Sequence, residues 1–269
     1  MSEMAKRIII AVIAAPIILY SPFAGINYFA GLIFLISFLS CKEISVMYQN
    51  KKVSLNPLSP FTISVIPVIY LIAGPLVAFE YLLFIMLLLF TVDIFRSKDQ
   101  YARIFSGYLI MAVYCGIFPS LLIWTVRSTS PWMFCFIYAV LIATDSFAYF
   151  GGMLCKKLFT THKLLERVSP KKTIEGSITG FLFALISGVL LFTFTDLKTG
   201  MTLKDALVLS ALISVFGQIG DLFESALKRD MGIKDSSNII PGHGGVLDRF
   251  DSLIFASPAV YLYTQYILN

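Results

Sequence analysis

PWMFCFIYAVLIATDSFAYFGG, residues 131–152, decides the fold. A helix needs roughly 20 consecutive apolar residues to cross the hydrocarbon core of a bilayer, and this run reaches that length with a single carboxylate, Asp145. An ionised Asp near the centre of such a helix costs about 2.5–3.5 kcal/mol on insertion scales. Asp145 is therefore expected to face a partner or a wet cavity, with a structural hydrogen bond to a neighbouring helix as the plainer alternative.

Working outward, eight further apolar stretches lie near residues 8–20, 23–40, 61–79, 81–95, 106–126, 174–195, 205–223 and 252–268. The 269 residues are 58% hydrophobic and 14% charged, with a mean hydropathy of +0.83, which is incompatible with a water-soluble surface. The expected fold is an all-α integral membrane protein, a polytopic bundle of about nine transmembrane helices in the cell (inner) membrane. Tight turns at Ser21-Pro22 and around Glu80 suit helical hairpins. The first apolar run follows Lys6 and Arg7 like a signal peptide but lacks a small-residue cleavage site, so it reads as a retained span.

Orientation follows from the basic residues. With a cytoplasmic N-terminus and an outside C-terminus, every one of the 21 Lys and Arg residues except Arg127, Lys198 and Lys204 falls in a cytoplasmic segment. Adding or dropping a span would place large basic loops on the wrong side. The net charge of +5 then reflects topology rather than nucleic-acid binding. Cys41, Cys115, Cys135 and Cys155 lie in or beside apolar runs without metal-ligand spacing and read as small core residues. No internal repeat stands out. Residues 1–130 read as transmembrane scaffold, and residues 131–269 as a catalytic region with a cytoplasm-facing polar site.

The polar residues of that second region converge at the cytoplasmic ends of the spans. Ser169-Pro170 or Thr173 with Glu175 marks the start of the seventh span, where Lys171 and Lys172 beside free N–H groups suit a phosphate or, alternatively, anchor the helix at the headgroups. At 3.6 residues per turn Asp221, Glu224, Ser225 and Lys228 share one face of the eighth span. Glu224 and Lys228 form an ordinary i,i+4 pair, whereas the i+4 neighbour of Asp221 is Ser225. Asp248 and Asp251 share one face at the start of the ninth span, where capping is the bland reading and convergence on one cation the sharper one.

Hard carboxylate oxygens without a His/Cys cluster point to Mg²⁺ or a similar cation. Asp221, Asp248 and Asp251 suit either one metal ion or two. Gly242, Gly244 and Gly245 let backbone approach a ligand closely, and the surrounding Lys and Arg suit polyphosphate.

The stretch from Ser225 to Ser252 carries Ser225-x-Leu227-Lys228-Arg229, then Lys234-Asp235, Pro241-Gly242-His243-Gly244-Gly245 and Asp248-Arg249-Phe250-Asp251. This pattern resembles the signature of phosphatidate cytidylyltransferases, also called CDP-diacylglycerol synthases. Asp145-Ser146-Phe147-Ala148-Tyr149 with Gly152, and Ser169-Pro170-Lys171-Lys172-Thr173 with Glu175-Gly176, are similar to the same family, so the resemblance covers roughly residues 141–252. It implies that CTP and phosphatidic acid give CDP-diacylglycerol and pyrophosphate, with Mg²⁺ required.

The implied catalytic set is Asp221, Lys228, Asp248 and Asp251, with the three aspartates on the metal. Lys228, Arg229, Lys234 and Arg249 would neutralise phosphates, Lys171 and Lys172 would hold a lipid or nucleotide phosphate, and Asp145 would orient a ligand or a basic side chain. Gly244, Gly245 and His243 would approach the nucleotide, and His243 reads as a turn or phosphate contact rather than a proton carrier. His162 reads as exposed and inert. A CTP-dependent transferase or kinase acting on a polyprenol, and a transporter, are the competing readings. The expected partners are CTP, phosphatidic acid and the surrounding membrane lipids, and a homodimer is compatible with such a bundle.

Overall fold

The structure, a computed structural model, describes residues 3–97, 99–158, 160–237, 239 and 244–268, with side chains from residue 12 onward. The chain divides into two compact units, Met1–Trp124 with Asp230–Phe250, and Thr125–Arg229 with Asp251–Asn269.

The first unit contains α1 (Glu3–Ala24), α2 (Ile26–Asn50), α3 (Ser59–Ser64), α4 (Ile66–Arg96) and α5 (Tyr101–Ile110). A π-helical segment, Met111–Ile117, then leads into α6 (Phe118–Ser128). Helix α2 is the centre of this unit. Its buried Phe29, Ile33, Ile36, Ser40, Ile44 and Met47 recur every three or four residues, the spacing of one helical face. That face packs on α1, α3, α4 and the π-helical segment.

Two turns lie elsewhere than the sequence suggests. The breaks fall at Gly25 (φ 130°) and Gly74 (φ 87°), while Ser21, Pro22 and Glu80 are helical. Positive φ is open to glycine at no steric cost, so glycine sets each break, and Pro75 follows as a first helical residue that needs no N–H partner. Ser21 instead donates to the Ile18 carbonyl within α1 at 2.8 Å.

Asp93, 1% exposed on α4, is the structural pin of the unit. Its carboxylate accepts from the Tyr108 hydroxyl and lies 3.5 Å from the Arg96 guanidinium. The same Tyr108 oxygen accepts from the Asn56 N–H at 2.7 Å, and Arg96 reaches the Ser54 hydroxyl at 3.1 Å. The loop after α2 is thereby tied to α4 and α5.

The second unit contains α7 (Pro131–Leu158), strands β1 (Lys163–Leu165) and β2 (Ser169–Thr173), α8 (Ile174–Phe194) and a 3₁₀ turn, Asp196–Thr199. Helices α9 (Leu203–Asp230) and α10 (Leu247–Tyr263, extended by a π-helical turn to Leu268) carry the chain across the division between the units. Helices α7 and α8 pack closely because small residues meet there. A Cβ on Gly180 would lie 2.5 Å from the Thr144 carbonyl oxygen of α7. Phe147 and Phe183 stack across the same seam.

The hairpin is the one departure from all-α expectation among the described residues. Lys163 pairs with Thr173 and Leu165 with Ser169, so Ser169-Pro170 opens a strand rather than capping a helix. The cap is Thr173, whose hydroxyl accepts from the Gly176 N–H at 3.1 Å.

Six described helices are long and apolar enough to cross a membrane, with a shorter apolar helix at Val12–Ala24. The 21 residues of α8 span about 31 Å at 1.5 Å per residue, close to the roughly 30 Å of a bilayer core. Its exposed Ile178, Leu182, Ile186 and Leu190 recur at one position per turn, a stripe suited to lipid rather than water. The chain is a helical membrane protein.

Candidate active site

In the second unit the site is built on the last turns of α9. The spacing of Asp221, Glu224, Ser225 and Lys228 places them on one face, and the structure gives each a partner there. Glu224, 1% exposed, pairs with Lys228, 8% exposed, one turn on. Asp221 pairs with Lys172, the next-to-last residue of β2, and its other oxygen lies 3.4 Å from the Ser225 hydroxyl. Lys172 reaches α9 through this pair, whereas its neighbour Lys171 is exposed. The two neighbouring lysines therefore have different surroundings.

Asp251 of α10 is buried, accepts from the Ser252 N–H at 2.6 Å, and lies within electrostatic reach of Asp221, Asp145 and Lys228. Asp145 itself is exposed on α7. Arg229 is exposed and its Nε–H donates to the Val168 carbonyl at 3.4 Å, tying the hairpin turn to the end of α9.

One turn before Asp221, Gln218 accepts from the Ser177 hydroxyl of α8 and donates to Ser214 at 3.3 Å. This polar pair borders a cavity of about 310 Å³ lined also by Ile178, Phe181, Val215 and Ile219. Gln218 carries no charge and sits in an apolar run, so composition gives it little emphasis.

In the first unit, residues Asp230–Phe250 pack with the N-terminal helices. Asp248, in the first turn of α10, accepts from the N–H groups of Ser236 (3.1 Å) and Gly245 (2.8 Å), and the Ser236 hydroxyl oxygen stands 2.9 Å from it. Gly244 has φ 83°, and a Cβ there would lie 2.9 Å from an Asp248 oxygen. Lys234 and Arg249 are exposed. His243, with Pro241 and Gly242, lies outside the described residues.

The sequence reading passes over Glu43. It lies on the buried face of α2, 1% exposed, and accepts four hydrogen bonds. They come from the hydroxyls of Ser236 (2.8 Å) and Ser237 (2.6 Å) and the N–H groups of Val246 and Leu247 (2.8 Å each). The signal was present: 36, 40, 43 and 47 are successive positions on the face that α2 buries, and an acid at such a position requires donors. His162 is exposed as expected, but it is bonded: its N–H and Nδ1 reach the Glu175 carboxylate at 3.0 and 2.9 Å.

The structure thus brings Lys172, Asp221, Lys228 and Asp251 together in the second unit, and sets Gly244, Gly245 and Asp248 against Ser236 and Glu43 in the first. Asp248 and Asp251 are three residues apart on α10 and share its face. Among the described residues, no group of three or more His, Cys, Asp or Glu side chains is gathered so as to hold a metal ion.

Comparison with known proteins bears on this arrangement. A family model described as the cytidylyltransferase family matches residues 5–267. The phosphatidate cytidylyltransferase of Bacillus subtilis is 34% identical over 97% of both chains. Those of Staphylococcus saprophyticus and Staphylococcus haemolyticus are 38% and 39% identical over a region covering 60% of this chain and 60% of theirs. With a match that runs from α1 into the π-helical turn after α10, this chain belongs to the cytidylyltransferase family.

Proposed function

We propose that this protein is a CTP:phosphatidate cytidylyltransferase, acting at the cytoplasmic face of the inner membrane. A phosphate oxygen of phosphatidic acid attacks the α-phosphorus of CTP. A new P–O bond forms, the bond between the α-phosphorus and the oxygen bridging to the β-phosphorus breaks, and pyrophosphate leaves with that electron pair. Nine spans, with the N-terminus inside and the C-terminus outside, place the site between cytosolic CTP and the lipid headgroups. The basic-residue distribution supports that orientation.

One observation carries the reading: the end of α9 gathers Lys172 and Lys228 against Asp221, Glu224 and Asp251. Lysines held by carboxylates are placed to receive anionic phosphates, and carboxylates released from lysines are placed to receive a cation. A phosphate monoester is already nucleophilic at neutral pH, so positioning and charge neutralisation carry the chemistry.

The donor set fits magnesium. Asp251 has the like-charged Asp221 and Asp145 within electrostatic reach, which favours a cation, and Mg²⁺ typically takes one or two carboxylates with substrate phosphates and water completing its shell. Asp221, Asp248 and Asp251 would hold one or two ions, and the cation would neutralise charge developing on the phosphates. Lys171, Arg229, Lys234 and Arg249 add positive charge for the triphosphate and the headgroup, Gly244 and Gly245 let backbone approach the nucleotide, and Asp145 orients a basic group. The cavity between α8 and α9 accommodates part of an acyl chain, with Ser177 and Gln218 at its polar side.

The test is direct. Purified full-length protein in liposomes, given phosphatidic acid, labelled CTP and Mg²⁺, is expected to release CDP-diacylglycerol and pyrophosphate together. A folded protein that releases neither is not this enzyme, and label transferred to added polyprenol instead identifies the competing acceptor.

A further inference from the structure

The first unit contains a buried carboxylate that the proposed chemistry does not use. Glu43 lies on α2, nearly 200 residues before the segment it contacts, and is 1% exposed. Burying an ionised carboxylate is costly unless donors surround it, and Glu43 has four. Two of them, the N–H groups of Val246 and Leu247, stand at the start of α10, where a helix has no partners of its own to offer. A third start-of-helix N–H, that of Gly245, goes to Asp248. Glu43 therefore caps α10 from another helix, in the role that a Ser or Asp beside the helix usually fills.

The arrangement leaves no room for a larger residue at the turn. A Cβ on Gly245 would lie 1.7 Å from the Ser236 hydroxyl and 2.6 Å from a Glu43 oxygen. The Ser236 hydroxyl stands 2.8 Å from Glu43 and 2.9 Å from Asp248. A hydroxyl has one proton, so it serves one of these carboxylates at a time. If Asp248 turns to a ligand, Glu43 can take that proton and keep the loop in place.

We propose that Glu43 is a positioning residue for the reaction: it fixes the Gly244-Gly245 turn and the first turn of α10, and so sets where Asp248 presents its carboxylate. This rests on the reading of Asp248 as part of the nucleotide and metal site. The Glu43→Gln variant keeps the side-chain shape but replaces one acceptor oxygen by an N–H₂ that faces donors. Losing one or two hydrogen bonds to a charged acceptor corresponds to about a tenfold to hundredfold loss in kcat.

The experiment uses full-length protein in lipid nanodiscs and has two independent readouts. Hydrogen exchange at the Val246 and Leu247 amides is expected to speed up at least about tenfold in Glu43→Gln, while amides in α7 and α8 are unchanged. CDP-diacylglycerol synthesis is expected to lose kcat with little change in KM for phosphatidic acid. Ser236→Ala is expected to lose kcat less, and Glu43→Gln with Ser236→Ala to lose less than the product of the single losses, because the two act through one network.

Unchanged exchange at Val246 and Leu247 in a folded Glu43→Gln protein overturns the capping claim. Faster exchange with wild-type kcat overturns the positioning claim, as does full multiplicativity in the double variant. Should Glu43→Gln not fold, Ser236→Ala and Ser237→Ala decide the matter by the same two readouts. An inactive wild type whose exchange nevertheless follows Glu43 sinks the proposed function and leaves the cap standing.

Discussion

Glu43 and Asp221 are carboxylates at opposite extremes of how this protein stabilises charge. Around Glu43 the donors are two hydroxyls and two backbone N–H groups, short, directional and fixed by the chain. Asp221 instead meets the ammonium of Lys172 and the more distant Ser225 hydroxyl. An ammonium is a compact charge on a flexible four-carbon stem, so it can leave a carboxylate for a phosphate with little rearrangement. Neutral donors in fixed positions hold geometry, and mobile cations exchange. The first arrangement suits a clamp and the second suits a site that must bind and release anions.

The largest expected effect tests the exchangeable side. Asp221→Asn is nearly isosteric but cannot carry the charge that a cation or Lys172 requires. CDP-diacylglycerol synthesis is expected to fall by about three orders of magnitude or more, with an unchanged melting temperature. Activity near wild type would mean that the Lys172 pair is merely structural. Next comes a contrast between neighbours. Lys172→Ala removes the partner of Asp221 and the proposed phosphate ligand and is expected to lower kcat/KM about tenfold to hundredfold, whereas Lys171→Ala, at an exposed position, loses only a few-fold. Equal losses would remove the distinction between the lysine paired with Asp221 and its exposed neighbour.

Asp93 tests the fixed side. Its partners, Tyr108 and Arg96, tie helices to a loop. Asp93→Ala leaves the buried Tyr108 hydroxyl proton without its acceptor and is expected to destabilise the fold by about 2–3 kcal/mol, read from denaturation in detergent. Activity per folded molecule should stay the same. A variant that is as stable as wild type but slow would move Asp93 from the frame to the site.

These contrasts also show which parts of the molecule the sequence makes visible. Helix α7 and helix α8 are readable because apolar length is a local property: the expected 131–152 and 174–195 runs lie within α7 and α8 or within a residue of their ends. Turn positions in the first unit were not, since they depend on positive φ at Gly25 and Gly74 rather than on the polar residues nearby. The α9 face was legible from helical spacing, and so was the Glu224 and Lys228 pair. The partner of Asp221 was not, because Lys172 is 49 residues away in sequence and reaches it only through a hairpin that local propensity hides behind Ser169-Pro170. Glu43 was the hardest to see. Its meaning lies wholly in a contact with residues some two hundred positions later, and an acid near a helix end among lysines reads as surface until the burial of its face is weighed.

The smallest expected effect concerns His162, just before β1, and Glu175 in the first turn of α8, whose side chains meet at 2.9 Å. The His162 side chain is 74% exposed, so solvent and salt screen the pair, and the His162 backbone N–H still reaches Glu175 when the ring is gone. His162→Ala is expected to change neither the melting temperature nor the rate measurably. It thereby sets a floor for the comparison, since the geometry of this pair is as good as that around Glu43 and only burial differs. A slowed His162→Ala enzyme would show that the hairpin itself, and not only Lys172 on it, must be held in place for the reaction, and the division between fixed and exchangeable carboxylates would then have to include Glu175 among the fixed.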